Sequence, residues 1–326
     1  MTIRYFHNRF MSELTKIVLF FVAGYTFSSC EETIDLDKYK GEPTLVLNVV
    51  ANTDTTIMAD ISTTWFFTDT QKPSSYTNLK VELLINDQSK GLMPYSNGFY
   101  RSDARPNAGD RITIRTVVDG KELTASDTIP QGVVIDQIEI KKEKVPGPES
   151  VQVTPYEIIR YDYELAYTYN ISFTDKVPGN HYYFVYISSA NNMPMGNVDY
   201  SKDPHFMLTA QEINQSLSSL KTISTYGFPF TNIGDSTQHH TIMMEERGAP
   251  FYYNQPEGCE RVITIFSITE SYYKYVIGLM ANSDITWHGN MTEKGLVQPV
   301  KIFSNIQGGT GIFACCTPTR TKVSLQ

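Results

Sequence analysis

The sequence predicts a mainly β protein, with an immunoglobulin-like sandwich first and then a larger β-rich domain carrying one or two short helices. Three observations lead there. Short segments alternate apolar and polar residues, turn residues punctuate them, and the chain is rich in Tyr (21) and Phe (17). A period of two puts successive side chains on opposite faces of a strand, and aromatic rings suit a pleated surface.

The first strands are expected at 44–50, 56–63, 79–86, 98–102 and 111–118. In 79–86, Leu79, Val81, Leu83 and Ile85 face one way, and Lys80 and Glu82 face water. Asp119-Gly120 joins 111–118 to 121–127 as a two-residue turn that needs positive φ, which is a hairpin signal. Strands at this spacing describe a sandwich over 42–130, closed by Pro130-Gln131-Gly132. The second domain, 131–326, opens with the alternating run 133–141. The Tyr-rich stretch 156–174 follows, then 181–188 and 261–266. Two capping boxes, in which a hydroxyl and a Glu three residues on satisfy each other's backbone N–H groups, announce helices. One is Thr209 with Glu212, running to about Leu220; the other is Ser267 with Glu270, ahead of Tyr272, Val276 and Leu279.

The N-terminus reads as an export signal. Arg4, Arg9 and Lys16 flank the apolar run 17–24, which is too short for the roughly 20 residues a membrane span needs. Small residues Ser28 and Ser29 then precede Cys30. A basic flank, a short apolar core and a small-residue site make a signal peptide, and a site ending in Cys is what lipoprotein processing requires. Residues 1–29 are therefore expected to be removed, Cys30 to be acylated as the membrane anchor, and 30–41 to form a polar tether. The start could be Met1 or Met11. Glu31 and Glu32 directly after the Cys resemble the signal that sends lipoproteins to the outer face of the outer membrane.

Charge and cysteine usage narrow the function. Residues 1–29 hold three of the 27 Lys and Arg and one of the 35 Asp and Glu, so the remainder carries a formal charge of −10. Nucleic-acid binding draws on clustered Lys and Arg, so no nucleic-acid partner is expected. Beyond Cys30 stand Cys259, Cys315 and Cys316. An oxidising envelope permits a disulfide; the candidates are Cys259 with Cys315 or Cys316, and a strained Cys315–Cys316 bond is the alternative.

No catalytic constellation is visible. There is no Gly-x-Ser-x-Gly elbow. Gly308-Gly309-Thr310-Gly311 lacks the strand–turn–helix frame of a dinucleotide fingerprint and reads as a turn or bulge between strands. His239-His240 and Glu245-Glu246 form the most metal-like group, yet a catalytic zinc needs three convergent ligands and no third is indicated. The segment 231–250 reads as an exposed hairpin or loop. No cofactor and no metal is expected. The aromatic rows Tyr161, Tyr163, Tyr167, Tyr169 and Tyr182, Tyr183, Phe184, Tyr186 suit a core, since aromatic cross-strand pairs stabilise sheets; the alternative is a platform that stacks on a glycan or peptide ligand, with Tyr161, Tyr163, Tyr182 and Tyr183 as its candidates.

Four stretches carry a resemblance: Cys30-Glu31-Glu32 leading into IDLD (34–37), ISFTDKVPGNHYYFVYIS (171–188), SYYKYV (271–276) and PVKIFSNIQGGTGIFACC (299–316). Together they resemble an uncharacterised family of Bacteroidota outer-membrane lipoproteins encoded beside TonB-dependent receptors. The resemblance implies a two-part β-rich architecture and a non-catalytic part in nutrient uptake, with such a receptor as partner. It implies no catalytic residues. A structural or adhesive surface protein binding a host or matrix polymer is the second reading, and a glycan or peptide hydrolase is the third.

Overall fold

The computed structural model describes residues 40–66, 69–70, 76–147, 151–154, 157–159, 162–191, 193, 198–213, 227–235, 237–248, 259–283, 291, 294 and 296–325. Residues 1–29, expected as a signal, and Cys30, Glu31 and Glu32, expected as an acylated start, lie outside them, as does Tyr161. In chain order the strands are β1 (Leu45–Asn52), β2 (Met58–Thr63), β3 (Glu82–Ile85), β4 (Gln88–Leu92), β5 (Tyr95–Ser96), β6 (Phe99–Arg101), β7 (Arg111–Val118), β8 (Lys121–Thr128) and β9 (Val134–Pro146). They continue as β10 (Val151–Thr154), β11 (Glu157–Ile159), β12 (Tyr163–Thr174), β13 (Tyr182–Ser189), β14 (Val198–Asp199), β15 (Phe228–Thr231), β16 (His239–Gly248), β17 (Glu260–Ile268) and β18 (Thr310–Ser324). Two helices are described, α1 (Pro204–Glu212) and α2 (Glu270–Ala281). The chain is mainly β, as the sequence predicts. No helix among the described residues is long and apolar enough to cross a membrane.

Among the described residues, 40–42 with 66 and 69–70 belong to one compact unit and the others to a second. In the first, the Lys40 ammonium pairs with Asp69. The second holds every named strand and helix. Its largest sheet runs β15-β13-β17-β18-β1-β2-β6-β5, beside four-stranded sheets β14-β16-β12-β9 and β4-β3-β7-β8 and the pair β10-β11.

Hairpins organise the first half. Asp119 and Gly120 have φ of 50° and 78°, and the same conformation recurs at Asn97 (51°) with Gly98 (88°) and at Asn86 (52°) with Asp87 (61°). Paired positive φ is the twist that matches two flanking strands across a two-residue loop, so β7–β8, β5–β6 and β3–β4 close tightly. Leu47, Val49, Ala59 and Ile61 from the large sheet share one apolar cluster with Leu83, Ile85, Ile112, Ile114 and Leu123 from the four-stranded sheet. A second cluster joins Tyr167, Tyr169, Ile171 and Phe173 of β12 to Tyr183, Val185, Ile263 and Ile265 of β13 and β17, with Phe206 of α1.

The C-terminal strand departs from the expected self-contained sandwich over 42–130. Residues 310–316 of β18 run parallel to β1 (Val46 opposite Thr310, Asn52 opposite Cys316). Residues 316–324 run antiparallel to β17. Alternation explains how one strand serves both halves. Phe313 and Cys315 enter the first cluster, the Thr317 and Thr319 hydroxyls donate to the carbonyls of Pro130 (2.6 Å) and Val133 (3.1 Å), and Val323 and Leu325 reach the second. All are odd-numbered and share one face. Cys316, on the other face, packs with Ile268 and with Tyr273 of α2. Pro318 is tolerated because β1 ends opposite Cys316, so the strand's far edge needs no N–H there. The glycines ahead of the strand are required by close approach. A Cβ on Gly308 would strike the Glu122 carbonyl, and one on Gly311 (φ +108°) the Leu47 carbonyl. The expected turn at 308–311 is thus the entry of β18 between β1 and β8, where Gln307 bridges Thr124.

Both helices start elsewhere than the capping boxes indicate. Asp203 caps α1 by accepting from the His205 N–H, with Pro204 at the first turn. Pro is suited there because its missing N–H has no helical partner to lose. Thr209 sits near the end of that helix, its hydroxyl 3.0 Å from that of Tyr273. In α2 the cap is Thr269, which accepts from the Tyr272 N–H, since β17 runs through Ser267 to Ile268.

Candidate functional site

The expected Cys259 disulfide does not form: no disulfide joins Cys259, Cys315 or Cys316. The β17–β18 register separates them, with Glu260 opposite Ser324 at one end and Ile268 opposite Cys316 at the other. Nine steps at about 3.4 Å each put Cys259 roughly 30 Å from the pair, against the roughly 4.4–6.8 Å between Cα atoms that a bridge spans. Cys315 and Cys316 point to opposite faces, into different clusters. Burial pushes the Cys316 thiol up to about 12, and that of Cys315 further.

The tyrosine platform is also divided. Tyr163 is exposed at the start of β12, with the Lys144 ammonium 4.6 Å over its ring. Tyr182 lies half-buried against Tyr273, ring centroids 5.0 Å apart. Tyr183 is the next residue on the strand, so it points the opposite way and is fully buried. Within the segment 231–250, expected as an exposed hairpin or loop, 239–248 form β16, held between β12 and β14. Along it His239 Nδ1 lies 2.7 Å from the Thr174 hydroxyl, which donates to Asp136 (2.6 Å). Burial works to raise the Glu245 carboxyl, but bonds from Lys202 and Arg247 outweigh it and hold the group low. Glu246 pairs with Arg261. No group of three His, Cys, Asp or Glu side chains among the described residues is placed to hold a metal.

β16 brings His240 instead into a buried polar cluster. Its Nε2 lies 2.9 Å from Asp175 Oδ2 and its Nδ1 3.2 Å from Asp235 Oδ2. The Tyr183 hydroxyl donates to both Asp175 oxygens (2.7 and 2.6 Å), and Asn232 donates to the Gly179 carbonyl (3.1 Å) while accepting from the His181 N–H (2.6 Å). Phe173, Tyr183 and Phe230 wall it, Tyr183 stacking on Phe230 at 4.8 Å. Burial, then Asp175, drives the Tyr183 hydroxyl far above its ordinary pKa, so it stays a donor. The Thr237 backbone N–H and hydroxyl, ahead of His240, hold Asp235 low. An Asp–His pair can activate a nucleophile, but here both ring nitrogens face carboxylates and the His240 side chain is 2% exposed. The cluster fastens the ends of β12, β13, β15 and β16 together.

An open recess of about 570 Å³ lies on the four-stranded sheet of the first half, lined by Leu79, Lys80, Glu82, Leu92, Arg115, Thr116, Val117 and Glu122. Unequal strand lengths make it. β7 pairs with β8 along its whole length but with β3 only over 112–115. Beyond that the segment 79–81 is drawn away, the Leu79 N–H donating to the Tyr100 hydroxyl (2.9 Å) and the Val81 carbonyl accepting from Met93 (2.8 Å). Leu92 and Val117 are each 60% exposed there. Arg115 pairs with Glu82 at 2.7 Å, and bonds from Ser89 and then Arg115 hold that carboxyl low. The Thr116 hydroxyl is buried without a hydrogen-bond partner. Apolar contact and both charge signs suit a ligand with mixed polarity, while Thr116 points with Ile112, Ile114 and Val118 to the buried face. Sequence reasoning missed this recess because it depends on which strand outlasts its neighbour; the exposed alternation Arg115, Val117 was its one trace.

Fold and site together describe a mainly β chain with a sealed polar cluster in one half and an open recess in the other. A family model described as a domain of unknown function, DUF4249, matches residues 31–322, and the chain belongs to that family. No curated protein matches. Among solved structures, a β-glucuronidase from glycoside hydrolase family 2 aligns at 12% identity and a TM-score of 0.20, over 70% of this chain and 19% of that one. This chain thus spans about a fifth of that enzyme.

Proposed function

We propose that this protein is an outer-membrane lipoprotein, anchored through Cys30 and facing outward, that serves a TonB-dependent uptake system without catalysis by capturing or presenting its ligand. The observation that carries the reading is the order of residues 17–32: short apolar run, small residues, Cys30, then Glu31 and Glu32. The first strand starts at Leu45, fifteen residues beyond the Cys, which leaves a polar tether between anchor and folded body. The recess beside Val117 supports the ligand-binding part, since a peptide or glycan offers both the apolar patches and the hydrogen-bonding groups its lining would meet.

The anchor is tested by metabolic labelling with a fatty-acid probe. Wild type takes up label and Cys30→Ala does not; label on the variant removes the lipoprotein reading. Protease shaving of intact cells tests the orientation, with wild type cleaved and Glu31→Ala/Glu32→Ala protected. Purification from detergent-solubilised outer membranes should bring down a large β-barrel receptor, and its absence would leave the anchor standing without the uptake role.

A further inference from the structure

β9 is the outer edge of the sheet β14-β16-β12-β9. It runs for thirteen residues, pairs with β12 alone among the described strands, and buries none of its side chains. An edge strand of this length presents a row of open N–H and C=O groups, which natural proteins guard with charge. Guarding works best with one sign, because opposite signs invite a second strand. Here the signs alternate: Glu139, Lys141 and Glu143 occupy one face, while Ile138 and Ile140 on the other pack toward the core.

We infer that β9 pairs antiparallel with β9 of a second copy of this chain, about a twofold axis through Ile140. In that register Glu139 stands opposite Lys141 of the partner subunit, and the symmetry makes the pair twice. Ile140 meets Ile140 of the partner subunit at the axis. Shifting the axis to Glu139 or Lys141 sets like charges opposite each other, so charge selects one register of the three. An axis normal to the sheet keeps each core on its own side and joins two four-stranded sheets into one of eight. The regular run is bounded by a bulge at Asp136 and by Pro146, which has no N–H to offer. The Lys141–Glu143 contact within the strand, at 2.7 Å, joins two exposed groups and competes weakly.

Sedimentation of the full chain in detergent, over a micromolar concentration series, tests this. Wild type should dimerise. Glu139→Lys and Lys141→Glu should each weaken dimerisation about tenfold or more, and the double variant, which restores opposite charges across the axis, should recover it. Both side chains are exposed, so circular dichroism of all three variants should match wild type. A wild type that stays monomeric, single variants that dimerise as tightly as wild type, or a double variant no tighter than the singles would each overturn the inference.

Discussion

Arg261→Met should cost the protein several kcal/mol, and the structure shows why. Arg261 stands on β17 and Glu246 on β16, with both side chains only 2% exposed. The guanidinium grips the carboxylate with two nitrogens, Nη2 to Oε1 at 2.6 Å and Nε to Oε2 at 2.9 Å. The Tyr169 hydroxyl adds a bond to Oε2 at 2.7 Å. The pair ties the sheet of β12 and β16 to the sheet of β13 and β17 across the second cluster. Removing the cation leaves a carboxylate in an apolar interior, for which the loss is about 3–5 kcal/mol. For a chain of this size that is a fall in Tm on the order of 10 °C. Replacing both partners by apolar side chains (Glu246→Leu with Arg261→Met) removes the stranded charge and should recover most of the loss, because buried pairs gain little over well-packed apolar groups. Urea unfolding followed by circular dichroism on wild type, both single variants and the double completes the cycle. A loss below about 1 kcal/mol for Arg261→Met, or a double variant as unstable as the single, would refute the reasoning.

Three further outcomes are expected. Gly311→Ala should destabilise by at least about 1–3 kcal/mol, since φ is +108° and the new methyl meets the Leu47 carbonyl; unchanged urea midpoints would count against that entry of β18. The Asp203 hydrogen bond raises the His205 pKa against the lowering effect of burial, so its stabilisation is complete below about pH 6.5 and fades as pH climbs through the folded value. Stability curves of wild type and His205→Gln should therefore converge in the alkaline range, and parallel curves would dismiss the contact. In native protein an alkylating reagent should modify Cys259 and spare Cys315 and Cys316, whose thiols are buried and raised; peptide mapping that finds a disulfide among them would contradict the strand register.

How legible each feature was follows from how local its cause is. Asp119-Gly120 announced a hairpin because a two-residue turn with positive φ is written in two adjacent residues. The alternation of 79–86 and 111–118 marked strands for the same reason. The helix starts fall elsewhere than the capping boxes indicate, at Asp203 six residues before Thr209 and at Thr269 two residues after Ser267. Ser267 lost to Thr269 because strand pairing with β18 held it, a contact roughly fifty residues away in the chain.

The candidate sites were less legible. Nothing near Tyr183 says that it will meet Asp175 and His240, because those partners come from other strands. Its row of tyrosines looks the same whether it faces a ligand or a core. The cysteines misled likewise: three thiols in a chain expected to be exported suggest a bridge, while the distance between them depends on a register that no local spacing encodes.

By itself, then, the sequence determined what period and turn chemistry can carry, namely a mainly β chain and its hairpins. Tertiary structure alone decided that the last strand lies beside the first, that the cysteines stay apart, and that a recess opens where β7 outruns β3. Those outcomes depend on which distant backbone edges find each other, and that choice is made by burial summed over the whole core.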